Sequence, residues 1–253
     1  MSLFGLRTLF VKEVLRFWRV PGQTLLSPVI TTLLYFVVFG GALGPRLPTV
    51  EGLPYARFIV PGLVTLGVVS NAFLNTASSL FIMKIQGTLV DLLVTPLSHL
   101  EVLLGFVGAA VVRALLVGGV TWAVASFFVG FHVAHPLAAV TLVLLVALAF
   151  AGFGLMTAVW SEKFEQVNFV PTFVITPLTF LGGVFYSAKV LPPTLAAVTA
   201  VNPVFYLVDV IRWSLVGVND APPLLGAAVV VLLVVLGNGG AWLMLASGYK
   251  LRG

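Results

Sequence analysis

The 253-residue chain has no cysteine, which excludes disulfides, thiol catalysis and thiolate metal sites. Charge is nearly as scarce. Lys, Arg, Asp and Glu make up 8% of the residues, against roughly a quarter in an average soluble domain. Thirteen basic and eight acidic side chains cannot clothe a soluble fold of this size. A disordered chain is excluded too, because 60% of the residues are hydrophobic and demand burial. A P-loop is missing: it needs Lys followed by Ser or Thr in a glycine-rich loop. The five lysines are followed by Glu13, Ile85, Phe164, Val190 and Leu251. ATP, if it is used, must therefore be held by another subunit, and the chain is not expected to be an enzyme. No cluster of His and acids resembles a metal or phosphotransfer site, which disfavours an integral membrane enzyme.

What is present is hydrophobic length. Mean hydropathy is +1.16 and the isoelectric point is near 9.8. The fold class expected is all-α, a polytopic membrane protein formed as a single domain over 1–253. Six apolar segments stand out, at about 23–43, 58–83, 102–131, 136–160, 168–186 and 224–247. Each can cross roughly 30 Å of hydrocarbon as a helix. Before them, residues 2–19 place Leu3, Leu6, Phe10, Val14 and Phe17 on one helical face. Lys12, Glu13, Arg16 and Arg19 fall on the other, with Arg7 on the apolar side. This reads as an interfacial amphipathic helix with its charged face towards water, ended by Pro21-Gly22. With the N-terminus inside, Arg7, Lys12, Arg16, Arg19, Lys84, Lys163, Lys250 and Arg252 share one side. Arg46, Arg57, Lys189 and Arg212 share the other, so both termini are expected in the cytoplasm. Excess positive charge here points to the membrane surface, not to nucleic acid.

Two connections have structure of their own. In 84–101, Gly87 can end the second helix and Thr88 can cap a new short one. Leu89, Leu92 and Leu93 follow i, i+3, i+4 spacing beside Asp91, and Thr95-Pro96 stops the turn. An apolar helix face at the membrane edge either enters a partner's groove or rests on lipid. The stretch 188–222 is too long for a hairpin. Asn202-Pro203 reads as a helix cap with proline at the first position, and the run after it is too short to span. An external re-entrant or interfacial element is expected. Asp209 and Arg212 on it stand at i, i+3, with modest benefit if exposed.

Polar residues within the spans are patterned. Asn71, Asn75, Ser78 and Ser79 form a stripe on the second span, and Thr172, Thr176, Thr179 and Gly183 one on the fifth. Each must face protein or water. A substrate path, a dimer seam and plain helix packing all remain open. Phe169, Phe173 and Phe180 could touch an amphipathic substrate or lipid, and Pro171 and Pro177 should kink the fifth span. Arg113 lies about ten residues into the third span. Burying it there costs several kcal/mol unless it is paired, and a tie to backbone carbonyls or a carboxylate is favoured over a substrate role. The loop with Glu162, Lys163 and Glu165 reads as a solvated turn. His132 and His135 are too sparse for a metal site. None of the eight acids lies well inside a span. A gradient-driven transporter or channel usually needs such a carboxylate, so it is kept only as the alternative.

The run Gly87-Thr-Leu-Val-Asp-Leu-Leu-Val-Thr-Pro-Leu-Ser98 resembles the signature cytoplasmic loop of ABC-2 type transporter permeases. Asn202-Pro-Val-Phe-Tyr-Leu-Val-Asp-Val-Ile-Arg212 is similar to the family's element before its last span. Gly182-Gly-Val-Phe-Tyr-Ser187 with Leu191-Pro-Pro193 resembles its fifth-span exit, and Lys12-Glu13 with Arg16-Phe-Trp-Arg19 its amphipathic start. Gln86 departs from the pattern, which often has an acid there. The resemblance covers nearly the whole chain and is closest to compact bacterial permeases with a separate ATPase. It implies the membrane subunit of an ATP-driven exporter in the bacterial inner membrane. Two chains would pair, and each would dock a cytoplasmic ABC ATPase that carries ATP and Mg. The 88–95 helix would be the coupling helix, and the N-terminal helix with Arg16 and Arg19 the connecting helix beside it. Asn71, Asn75, Ser78, Thr172, Phe173, Thr176 and Thr179 would line the path or seam, for an amphipathic, lipid-like, drug or glycan cargo. Asn202, Pro203, Asp209 and Arg212 would belong to the external element.

Overall fold

A computed structural model describes residues 3–20, 22–43, 49–130 and 133–250; Pro21, Arg46, His132 and Arg252 lie outside them. The described residues are helical, apart from connections and one isolated bridge between Val50 and Leu53. The frame is four long helices, of which α3 (Tyr55–Ile85), α6 (Pro136–Trp160) and α11 (Pro223–Ser247) run the same way and α5 (His99–Val129) runs against them. Among the described residues these four have the length and hydropathy to cross a membrane. A fifth crossing would be the pair α9 (Pro193–Val201) and α10 (Pro203–Val216), bent by 89° at Asn202. The chain is thus an all-helical polytopic membrane protein.

The first and fifth expected segments are helical but interrupted. The first runs through a π-helical turn (Gly22–Leu26), α2 (Ser27–Tyr35) and a second π-helical stretch (Phe36–Leu43). The fifth runs through α7 (Phe164–Phe169), a π-helical stretch (Val170–Ile175) and α8 (Thr176–Phe180). Pro171 and Pro177 explain this interruption: each lacks an N–H and its ring crowds the preceding turn, so the ladder widens instead of continuing. The fifth segment also stops at Phe180, six residues before the expected end. Leu181 and Gly182 close back on Pro177 and Thr179, and the chain turns away.

Helix ends cluster into two layers. One end of the bundle gathers α1 (Leu3–Trp18), the α3 terminus, α4 (Leu89–Leu93), the 161–163 turn and Lys250. The other gathers the connections before α3, after α5, after α8 and before α11. At the first end Gly87 has φ 75°, which lets the chain reverse after α3 where another residue would be strained. Ser98 and Glu101 then form a capping box that starts α5, a Ser-x-x-Glu signal present in the sequence.

The core is a seam of Phe58, Phe73, Phe81, Phe106, Leu80 and Leu155 between α3, α5 and α6. α11 buries one narrow stripe, Gly226, Val230, Gly237, Ala241 and Leu245, and leaves apolar side chains on its remaining faces. Such a helix is built for lipid. It approaches α6 backbone to backbone: a Cβ on Gly152 would stand 2.6 Å from the Gly237 carbonyl carbon and 2.7 Å from the Asn238 nitrogen. Backbone cannot yield as a side chain can. Gly152→Val is expected to destabilise the detergent-solubilised protein by about 3 kcal/mol, seen as a lower thermal midpoint. An unchanged midpoint would refute this crossing.

Candidate functional site

The terminus-bearing end carries the short helix α4. Thr88 was expected to cap it, but its hydroxyl turns back to the Met83 carbonyl at 3.4 Å, because residue 88 is already helical. The expected docking face of Leu89, Leu92 and Leu93 is also divided. Leu89 is buried and Leu92 half-buried against the protein, whereas Leu93 is exposed. The free face is Val90, Leu93 and Val94, with Asp91 beside it. Leu89 reaches the core because α4 lies against the end of α3, which an isolated periodicity cannot reveal. Thr95 closes the helix by donating to the Leu92 carbonyl at 2.6 Å, and Pro96 prevents its continuation.

Between α4, the α3 end and α1 lies a cleft of about 710 Å³, lined by Lys12, Met83, Asp91, Leu92, Thr95 and Pro96 among others. At its floor sits Glu13. The sequence placed it on a water-facing surface, but it is fully buried. The inward stripe of α1 is Leu9, Glu13 and Phe17, and α3 supplies polar groups to receive the acid. Ser79 donates to Glu13 Oε2 at 2.5 Å, and Arg16 Nε donates to the same oxygen at 3.0 Å. Lys12 lies 3.6 Å from Oε1, an ion pair without a hydrogen bond. Arg16 also donates to the Asn75 carbonyl and side-chain oxygens, each at 3.0 Å. Arg113 Nη1 reaches that same Asn75 Oδ1 at 3.4 Å. Glu13, Arg16, Ser79, Asn75 and Arg113 therefore form one polar chain from α1 through α3 to α5. Arg113 is tied to a side-chain amide, not to the backbone carbonyl or carboxylate expected, because α3 presents Asn75 at its level. Arg19 is exposed at the end of α1.

The same end holds a second tie. Lys84 donates to the Val159 and Ser161 carbonyls at 2.9 Å, capping α6 from α3. Lys250 donates to Glu162 at 2.6 Å, and this hydrogen bond holds the Glu162 carboxyl below its ordinary range.

The hub makes a local prediction. Glu13→Ala leaves Arg16 half-buried with one anchor lost and Ser79 without its acceptor. A cost of about 2 kcal/mol is expected in thermal unfolding, since Arg16 keeps its Asn75 bonds and some water. Glu13→Gln should recover part of it by accepting from Ser79. Equal midpoints for the alanine variant and the parent would show that the hub holds nothing.

The fold brings the two polar stripes together only in part. Asn71 and Thr176 line a common chamber of about 500 Å³ with Arg113, bounded by α2, α3, α5 and α8. Asn75 lies in the hub, and Ser78 back-bonds to Leu74 at 2.6 Å. Thr172 and Phe173 are exposed, and Thr179 is buried and donates to Ile175 at 2.7 Å. Phe173 stacks on Phe169 at 5.0 Å.

Asn202 caps α10 by accepting from Val204 N at 2.9 Å, with Pro203 at the first position, inside the bundle beside Phe73, Thr157 and Leu233. Its amide also donates to the Leu178 carbonyl at 2.6 Å. Towards the opposite end, Asp209 and Arg212, whose pairing was expected to bring modest benefit if exposed, are buried, at 2% and 1% exposure, because α10 packs into α3, α6 and α11. Asp209 accepts from Asp220 N at 2.8 Å and Ala221 N at 2.9 Å. Asp220 in turn accepts from Ser187 Oγ at 2.7 Å and Ala188 N at 2.6 Å. Lys189 bonds Glu51 at 3.0 Å, which raises its ammonium above the ordinary range. His135 stacks on Trp213 at 4.4 Å.

Comparison with known proteins agrees with this architecture. The model of the family described as ABC-2 type transporter matches residues 5–216. The inner membrane transport permease YadH of Escherichia coli K12 is 41% identical over 249 residues, 98% of this chain and 97% of its own. Nodulation protein J of Rhizobium leguminosarum bv. viciae is 26% identical over 214 residues, 84% of this chain and 83% of its own. With its helical bundle and a family match over most of its length, the chain belongs to the ABC-2 type transporter family and is the membrane subunit of an ABC transporter.

Proposed function

We propose that two copies of this chain form the transmembrane path of an ATP-driven exporter in the inner membrane. Each copy docks one cytoplasmic P-loop ATPase, which binds ATP and Mg. The observation that carries the reading is α4: a short helix braced on α3 by buried Leu89, with an exposed apolar face of Val90, Leu93 and Val94. An apolar face of this size, beside an acid and flanked by basic α1, suits a groove on a partner protein. The terminus-bearing end is then cytoplasmic, in line with the basic residues of α1 and Lys84, Lys163 and Lys250.

In this reading 1–253 is one transmembrane domain. ATP closes the two partner subunits. Their motion reaches α4 through Thr88, Leu89, Asp91, Leu92, Leu93, Thr95 and Pro96, and α1 through Arg16 and Arg19. The Glu13–Arg16–Asn75–Arg113 chain carries the displacement of α1 towards the middle of α3 and α5. The wide π-helical turns before α2 and α8 give the chamber walls a place to bend. The chamber at Asn71 and Thr176, with Asn75, Ser78, Thr172, Phe173 and Thr179 around it, forms part of the path or the seam between copies. The bent pair α9–α10 is the external element. The cargo is amphipathic: lipid-like, drug or glycan-bearing.

The test is co-expression with the P-loop ATPase that this reading expects in the neighbouring reading frame. Copurification, and ATP-dependent accumulation of a fluorescent short-chain phospholipid in inside-out vesicles, are expected. Accumulation by the purified chain alone on a proton or sodium gradient would replace this reading with a gradient-driven one.

A further inference from the structure

We infer that Arg113 is the anion-recognition residue of the chamber between α2, α3, α5 and α8, and that the cargo held there is an amphiphile with a phosphate or carboxylate head. The inference rests on the chamber being part of the export path. Its physical basis is the unfinished coordination of one cation. A guanidinium offers five N–H donors in a fixed fork. Among the described residues Arg113 makes one hydrogen bond, a long one of 3.4 Å to Asn75 Oδ1, and its buried Nε has no partner there. That acceptor is already used by Arg16 at 3.0 Å. None of the ion pairs formed among the described residues includes Arg113. The nearby acid Glu13 is matched by Arg16 and Lys12, so the hub with Arg113 holds three positive charges and one negative.

The surroundings decide which anion fits. The same chamber presents Thr121, Ser70 and Asn71, side chains able to donate to an anionic head, whereas the Thr176 hydroxyl is already given to the Pro171 carbonyl at 2.8 Å. Farther along it presents Leu63, Leu66 and Phe180, which suit an alkyl chain. A charge at this depth costs several kcal/mol unless it is compensated, and a planar fork matches phosphate or carboxylate through two parallel hydrogen bonds. A head-and-tail anion satisfies both halves of the chamber, whereas a cationic amphiphile would meet like charge.

The experiment uses the full chain in an uncharged maltoside detergent, without ATPase, so that binding is read apart from transport. Dodecyl phosphate is titrated against a bound NBD-labelled fatty acid, with dodecyltrimethylammonium and inorganic phosphate in parallel. Dodecyl phosphate should displace the probe, and the cation should not. Arg113→Gln should weaken binding by roughly tenfold or more, and Arg113→Lys by less. Thr31→Trp, which fills the chamber from α2 without touching the hub, should also abolish binding and guards against a misfolded Arg113 variant. Phosphatidylglycerol in nanodiscs separates the sources: competition identifies bilayer lipid as the anion, and its absence a separate single-chain cargo. Unchanged binding in Arg113→Gln, or equal displacement by the cationic amphiphile, overturns the inference. ATP-dependent export with an intact Arg113-independent binding curve would leave the exporter reading standing and remove only the anion site.

Discussion

Asp209→Ala is expected to cost about 3–5 kcal/mol, enough to abolish recovery of folded, monodisperse protein from the membrane. The reason lies in what the carboxylate leaves behind. Arg212 is buried at 1% exposure, and its Nη1 stands 3.7 Å from Asp209 Oδ1, a charge contact without a hydrogen bond. Its other support is an Nη2 bond to the Gly183 carbonyl and the face of Phe58, 4.1 Å from the guanidinium carbon. Neither supplies negative charge, and the remaining acids, Asp220 and Glu51, act on the guanidinium only from beyond ion-pair distance. Removing Asp209 therefore strands a buried cation and also frees the Asp220 and Ala221 N–H groups. Those N–H groups pin the turn before α11, and Asp220 pins Ser187 and Ala188 after α8. One deletion loosens two connections at the same end. The double variant Asp209→Ala with Arg212→Leu should recover much of the loss, because a buried pair replaced on both sides costs far less than one broken. Thermal unfolding by size-exclusion recovery reads both. A single variant within about 1 kcal/mol of the parent would show that the pair is not what fastens α10.

This pair marks where a sequence stops being legible. The i, i+3 spacing of Asp209 and Arg212 was readable, but whether that face meets water depends on α3, α6 and α11, which pack against α10. Glu13 repeats the lesson. It was assigned with Lys12, Arg16 and Arg19 to the water-facing side of α1, but it shares the inward stripe with Leu9 and Phe17, where Ser79 of α3 receives it, while Lys12 and Arg19 stay exposed. Periodicity says which residues share a face, not which face finds a partner. Local signals fared better because their physics is local. Asn202-Pro203 caps α10, Thr95-Pro96 ends α4, and Gly87 allows the reversal after α3. Hydropathy located α3, α5, α6 and α11 but could not foresee the π-helical turns in the first and fifth segments. There, backbone geometry around prolines and neighbouring helices decides the ladder. Arg113 was conspicuous as a charge in an apolar run, but its partner, a side-chain amide shared with Arg16, required the fold.

The paired substitution Val90→Asp and Leu93→Asp is expected to abolish copurification of the ATPase, with more than a tenfold loss of association, while leaving the bundle folded. Val90 and Leu93 are 60% and 43% exposed, so they contribute little to the chain's own stability. On one face of α4 they would instead be the apolar centre of a small contact. Two carboxylates there must be desolvated without partners on binding, which outweighs the rim of the interface. The contrasting substitution is Leu89→Asp. Leu89 is 4% exposed and braces α4 on the protein, so this change should shift thermal unfolding and lose the ATPase only as a consequence. Asp91→Asn, on the exposed side, should weaken association modestly if it meets a basic group of the partner. The two readouts, thermal midpoint and copurification, separate these cases. An ATPase that still copurifies with the Val90→Asp, Leu93→Asp chain, and is still stimulated by it, would move the docking surface to the inward-facing leucines or to α1. A lowered midpoint in that variant would instead mean that α4 folds back more tightly than its exposed face indicates.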